Sequence, residues 1–358
     1  MVLQYKCPNC GADMSFHPET GLLHCDSCGR DENIENMKNS DIPQQDLDSY
    51  ESFKEQTIQN TYEDNSTAQY QCKNCGAILI TDNDTSATIC SFCDAPMILG
   101  DRLTGTLAPS KVIPFSITKE QAESAFKKWC GKGLLLPNNF KKANRIKSIT
   151  GMYIPFWLYD INGRGDVYAE CTTVHTHREG DYEVTKTDYF DVYRNVDLYY
   201  NKIPVDASEK MDDTMMDKLE PYDYSNLHDF KTPYLSGYLA EKYNYTDKDL
   251  LPRVKERAAD YMMDYVNTTM NHYSTRNIRE KNFSITPTDV HYTLLPVWMF
   301  CYDYEHSEHN FYMNGQTGKI VGKPPISPKK ACLWYTGIFI VIFLIIKILA
   351  YLIGGVWL

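Results

Sequence analysis

The chain has 358 residues, 43% of them hydrophobic, and a formal net charge of −11. That length allows a sizeable core plus small modules, about two to four units. The charge is uneven: residues 31–70 hold ten acids and two bases, residues 1–30 three and two, residues 71–100 three and one, and residues 101–358 hold 31 of each. Modules that bind nucleic acid gain most of their affinity by neutralising phosphates with Lys and Arg. Acidic modules on an acidic tether argue against that role.

Eight of the twelve cysteines form two copies of Cys-x2-Cys-x14-Cys-x2-Cys: Cys7, Cys10, Cys25 and Cys28, then Cys72, Cys75, Cys90 and Cys93. Matching cysteines lie 65 residues apart. Two residues between cysteines let both thiolates face one ion, and two such knuckles complete a tetrahedral site. The pattern predicts two structural Zn2+ sites, with an Fe–S cluster or a redox dithiol as the alternatives. Gly11, Gly29 and Gly76 follow three of the knuckles and allow the left-handed turn the motif needs. Asp94 follows the fourth and tolerates the same conformation.

In chain order, residues 1–30 form zinc ribbon 1, too small to fold without metal. Tyr5, Phe16, Leu22 and Leu23 are available to cover its site. Residues 31–68 read as an acidic flexible linker, with a short helix conceivable at 46–56. Residues 69–99 form zinc ribbon 2, with Tyr70, Ile78, Leu79, Ile80 and Phe92 as its apolar set. Residues 100–330 read as an α+β domain with a mainly antiparallel sheet. Thr118 and Gln121 make a capping box for a helix reaching Cys130, ended by Gly131 and Gly133. Residues 153–160 predict a strand, and Asn162-Gly163 after it a hairpin turn. Strands are expected at 167–177, 181–198, 290–304, 310–313 and 319–321, and helices at 208–219 and 247–272, the latter capped by Thr246. Tyr153-Ile154-Pro155-Phe156-Trp157-Leu158 echoes Leu294-Leu295-Pro296-Val297-Trp298-Met299. The echo reads either as coincidence or as equivalent places in a pseudo-symmetric sheet, where a strand carrying proline belongs at an edge or begins at the proline.

Residues 331–358 carry one charge, Lys347, and are long enough to cross a bilayer as a tail anchor. Trp334 and Tyr335 at one end, with Tyr351 and Trp357 at the other, suit interfacial belts. Lys329 and Lys330 precede the span, so the positive-inside rule puts the upstream domains in the cytoplasm. Thiolate zinc ligands suit the same reducing compartment, and no basic-then-apolar leader precedes Cys7. The expected location is the bacterial plasma membrane, single-pass. Lys347 can snorkel or face another membrane helix.

No phosphate-binding loop, metalloprotease motif or nucleophile elbow is present. Cys130, Cys171, Cys301 and Cys332 read as buried free thiols. His175 and His177 share a strand face with Cys171, so they read as surface residues or as a small metal site. His306 and His309 are expected in a loop, and the stretch 141–147 as a solvated face or an anionic-lipid contact. No catalytic residue can be named.

Cys7-Pro8-Asn9-Cys10-Gly11-Ala12-Asp13-Met14, the second ribbon, Ser148-Ile149-Thr150-Gly151-Met152-Tyr153-Ile154-Pro155-Phe156-Trp157, Met313-Asn314-Gly315-Gln316-Thr317-Gly318-Lys319 and the terminal apolar span carry a resemblance. The chain resembles bacterial, mainly Bacillus-type, membrane proteins described as TFIIB-type zinc ribbon-containing. Some of them are labelled relatives of the replication-restart helicase PriA, although this chain has no nucleotide-binding loop. The resemblance implies membership of an envelope-stress system, with membrane anchoring and recruitment of flotillin-like (SPFH) and phage-shock-protein-A-like partners. Closed zinc sites, an acidic tether and no catalytic constellation make the expected role that of a non-enzymatic scaffold. A nucleic-acid-binding regulator and an enzyme centred on Cys171, His175 and His177 are the competing readings.

Overall fold

The computed structural model describes residues 2–37, 67–103, 108–138, 140, 146–304 and 307–352. It is a mixed α+β molecule made mostly of sheet, with four α-helices among the described residues. Strands β1 (Val2–Leu3), β2 (Ser15–His17), β3 (Leu22–His24) and β4 (Asp31–Glu32) accompany the first cysteines. The second set lies among β5 (Thr67–Gln71), β6 (Ile78–Asp82), β7 (Thr85–Ile89) and β8 (Pro96–Leu99). After β9 (Lys111–Val112) and α1 (Lys119–Lys132), the 34-residue β10 (Ile146–Glu179) turns into β11 (Tyr182–Asp206). Then follow α2 (Asp213–Leu219), β12 (His228–Asp229), β13 (Leu239–Glu241), α3 (Leu251–Thr269), β14 (Thr275–Tyr304), β15 (Ser307–Asn314), β16 (Ile320–Gly322) and α4 (Pro328–Leu352).

One 11-stranded sheet runs β1-β8-β7-β13-β10-β14-β15-β16, with β11 beside β10 and β9 joining β14 to β12. At about 3.3 Å per residue, the 34 residues of β10 trace roughly 110 Å of strand. The predicted turn at Asn162-Gly163 is absent. Both residues lie inside β10, paired with Tyr199 and Leu198 on one side and Thr286 and Ile285 on the other. Gly163 is there for close approach: a Cβ would stand 2.5 Å from Met262 Sδ on α3. The real turn comes at Gly180, with φ +64°.

The echoed segments pair with each other. Tyr153 faces Pro296, Ile154 faces Leu295 and Pro155 faces Leu294, antiparallel, about a local two-fold. Parallel partners follow the same symmetry: Met152 and Tyr153 take Leu239 and Ala240, while Thr293 and Leu294 take Lys111 and Val112. Neither proline is on an edge strand. Each sits where its strand changes neighbours, Pro155 between β13 and β11 and Pro296 between β9 and β15. A residue without an N–H fits that gap. The proline carbonyls then accept equivalent bonds, Ala207 N to Pro155 O and Gly315 N to Pro296 O, both 2.9 Å.

α1 has its full Thr118–Gln121 capping box and ends at Gly133. α2 begins only at Asp213, because Asp212 is its N-cap and accepts from Met215 N. Thr246 and Asp249 do bond reciprocally, but regular helix starts at Leu251, beside Pro252. α3 buries Val254, Ala258, Met262 and Val266, one residue per turn, against β10 and β11. His309 lies in β15 rather than a loop. Most of the expected linker (38–66), the helix at 46–56, residues 141–145, His306 and Trp357 lie outside the described residues.

The ribbons are not free-standing knobs. Val2 and Leu3 of β1 pair with Leu99 and Ile98, and β7 pairs with β13. Ribbon 1 continues past residue 30 through β4 to buried Ile34. Its Tyr5, Met14, Phe16 and Leu23 merge with Phe115, Tyr153, Leu235 and Trp298 in the main core. The apolar set of ribbon 2 matches expectation only in part: Val2, Ala95, Met97 and Leu99 pack around Cys72 and Cys90, and of the expected residues Tyr70 and Leu79 pack against them. Ile78, Ile80 and Phe92 face outward, 61%, 66% and 72% exposed.

Candidate metal centres

Each Cys-x2-Cys knuckle is set by the same pair of backbone bonds. The first cysteine's N–H donates to the carbonyl five residues on, and its own carbonyl accepts from the residue four on. For Cys7 these are Ala12 O at 2.7 Å and Gly11 N at 2.8 Å, and for Cys90 they are Ala95 O and Asp94 N, both 2.9 Å. The residue after the second cysteine of each turn is left-handed: φ is +74° at Gly11, +71° at Gly29, +77° at Gly76 and +56° at Asp94. Asp94 therefore takes the conformation expected of it.

These turns bring together all eight predicted ligands in two groups. The sulfurs within each group lie within 4.8 Å of one another. Cys7 and Cys28 are 3.6 Å apart and Cys10 and Cys25 3.5 Å; in the second group Cys72–Cys93 and Cys75–Cys90 are both 3.8 Å. A tetrahedron with Zn–S bonds of about 2.3 Å has edges of about 3.8 Å, so both groups fit that ion. In each, the first and third cysteines are buried, while the outer two are exposed or half-buried.

Without an ion the four thiols titrate against one another. A backbone hydrogen bond at Arg30, helped by Asn9, lowers Cys28 to about 6. At Cys10 the Ala12 hydrogen bond favours the thiolate, but Cys25, Cys28, burial and Cys7 outweigh it and push the thiol up to about 12. Site two repeats this, with Cys93 lowered to about 7 by hydrogen bonds at Ala95 and from Asn74. Cys75 is again raised to about 12, where Cys93, burial and the remaining cysteines overcome Ala77. A divalent cation removes this conflict by replacing protons with one shared charge.

Sequence reasoning missed the amide donors. Asn74 Nδ2 lies 3.6 Å from Cys93 Sγ, and Asn9 plays the same part for Cys28. They stand 65 residues apart, so the repeat itself carried the signal.

The weaker candidates are not assembled. Cys171 is buried beneath α3 with Val167, Val192 and Met262, while His175 and His177 lie exposed further along the hairpin. Among the described residues the two four-cysteine sets are the groups arranged to hold a metal. Of the four remaining thiols, Cys130 and Cys171 are buried, but Cys301 is only half-buried and Cys332 is exposed on α4.

No family model and no solved structure matches the chain. It is 53% identical over 355 residues to a Bacillus subtilis (strain 168) protein described as "Uncharacterized protein YdjG", covering 99% of each. The chain belongs to the family of that Bacillus protein.

Proposed function

We propose that the chain is a non-enzymatic, tail-anchored zinc-ribbon scaffold that holds cytoplasmic protein partners at the inner face of the bacterial plasma membrane. The observation that carries this reading is α4. Residues Pro328–Leu349 have a mean hydropathy of 2.4 and none of that window is buried in the molecule. A soluble protein would have to cover such a helix on every side, and a bilayer does so by itself. Lys329 and Lys330 at its start favour a cytoplasmic location for the rest.

Ribbon 2 supports the partner-holding role through its differences from ribbon 1. Positions 65 residues apart read Asp13 and Ile78, Ser15 and Ile80, Ser27 and Phe92. Around Ser15 ribbon 1 is turned inward, with Phe16 N donating to Ser236 O and Ser236 Oγ to Met14 O, whereas Ser27 is exposed. Ribbon 2 presents its apolar residues outward, as a surface for protein contact would. The partners implied by the family resemblance are flotillin-like and phage-shock-protein-A-like proteins, in envelope stress.

The combined change Ile78→Asp, Ile80→Asp and Phe92→Asp is expected to move folding stability by about 0.5 kcal/mol or less per site. It should abolish the protein crosslinks recovered from membranes and identified by mass spectrometry. The same purified protein should contain about two zinc ions per chain. Unchanged crosslinks would remove ribbon 2 from the proposal. A salt-dependent DNA affinity of the ribbons at low ionic strength would instead favour the nucleic-acid regulator.

A further inference from the structure

The base of α4 is fastened to one loop of the domain. Ser327 N donates to Leu135 O at 2.8 Å, and Lys330 Nζ donates to Leu136 O at 2.7 Å. Lys330 is in the first turn of α4, so the loop lies level with the start of the apolar segment. Beyond Pro137, Phe140 is buried in the main core, and its carbonyl accepts from Tyr302 Oη at 2.5 Å.

The loop's leucines are divided in a definite way. Leu136 is buried and folds back over Gly133, where a Cβ would stand 2.3 Å from Leu136 Cδ1. Leu134 points out and is 68% exposed. Beside the same helix base Ile326 is 63% exposed, and Leu333, Trp334 and Tyr335 continue the apolar surface up α4.

The two segments that make this base carry only bases, although Glu123 precedes the first and the β14–β15 hairpin brings Asp303 and Glu308 next to Tyr302. Residues 124–138 and 323–335 contain Lys127, Lys128, Lys132, Lys323, Lys329 and Lys330 and no Asp or Glu. Lys127 pairs with Glu123, one turn back on α1, while Lys128, Lys132, Lys323 and Lys329 are exposed. Outward leucine and isoleucine flanked in sequence by exposed lysines, at the level where an apolar helix leaves the domain, match the interfacial layer of an anionic bilayer.

We propose that the loop at 133–138 and Ile326 form a foot that seats the domain on anionic phospholipid, with Leu134 and Ile326 entering the interface. This rests on reading α4 as a membrane span. The seat would fix the direction of the long sheet. Ile146 of β10 pairs with Tyr302 near the foot, while the β10–β11 turn at Gly180 lies roughly 100 Å of strand away.

The test uses the full chain in vesicles of equal parts phosphatidylglycerol and phosphatidylcholine. A photoreactive benzophenone side chain replaces Leu134, Ile326 or, as control, Tyr182, which is 78% exposed beside the distant turn. Phospholipid adducts are expected at 134 and 326 and not at 182, with yields falling several-fold in vesicles of phosphatidylcholine alone. Equal yields in both vesicles would overturn the anionic preference. Adducts at 134 and 326 no greater than at 182, in chains that resist alkaline carbonate extraction, would overturn the foot while sparing the span. Extraction of the chain by carbonate would overturn both.

Discussion

Replacing Cys25 with serine is expected to unfold far more than the first ribbon. Cys25 and Cys7 are buried in the same cluster as Phe115, Phe126, Tyr153 and Trp298, which forms the centre of the sheet. A structural Zn2+ contributes apparent binding energy on the order of 10–16 kcal/mol. That matches or exceeds the roughly 5–15 kcal/mol by which a whole domain is stable. Loss of the ion also leaves the Cys7 thiol buried in the core without its metal, while Cys10 and Cys28 lie exposed at the surface. Cys90→Ser should do less, because Cys90 packs in the smaller group with Val2, Ala95, Met97 and Leu99. Without ribbon 2, β13 still lies on β10 and the β10–β14 ladder is intact. Amide hydrogen exchange across residues 294–300 reads the difference. Protection should vanish in Cys25→Ser and survive in Cys90→Ser. Equal protection in the two variants would contradict the merged core.

Asp206→Asn is expected to stabilise the protein, and more so as pH rises. The Asp206 side chain has no solvent exposure, and its Oδ2 has no hydrogen-bond donor among the described residues. Arg253 Nη1 stands 3.6 Å away. Burial, then a hydrogen bond shared with Asp213, push the carboxyl up to about 8, against the Ser208 amide and Arg253. In the unfolded chain it titrates near 3.9. Between those values the folded state holds a proton that the unfolded state has released. Stability therefore falls as pH climbs from about 4 to about 8 and levels above that. Asparagine carries a permanent N–H for Asp213 and has no charge to bury. Its pseudo-symmetric counterpart is already an asparagine. Asn314 accepts from Gln316 N as Asp206 accepts from Ser208 N, and donates from Nδ2 to Leu219 O and Pro221 O. The variant should gain on the order of 2–4 kcal/mol at pH 8 and much less at pH 5. Urea unfolding at the two pH values measures this. A gain independent of pH would show that Asp206 is ionised in the fold throughout.

What could be read in the sequence was local. The knuckle spacing, the left-handed residues after it, the α1 capping box and the apolar tail each depend on contacts within a few residues. The reading failed where long-range pairing decides. Asn162-Gly163 is a good turn in isolation, but α3 needs the room that Gly163 leaves for Met262. The prolines of the echo suggested edges, whereas strands that change neighbours at Pro155 and Pro296 accommodate them inside the sheet. Ile78, Ile80 and Phe92 looked like a small core because nothing local reveals that Val2 arrives from the far end of the linker to take that place. The Cys171, His175 and His177 face was legible as a strand face, but where the cover of α3 ends was not.

In the proposed function, this chain joins a protein partner to the membrane through its tail. Deleting residues 331–358 and following both the shortened chain and its crosslinked partner by membrane fractionation tests it most directly. Both are expected to move to the soluble fraction and remain crosslinked to each other. A partner that stays at the membrane in unchanged amount, while the shortened chain becomes soluble, would contradict it.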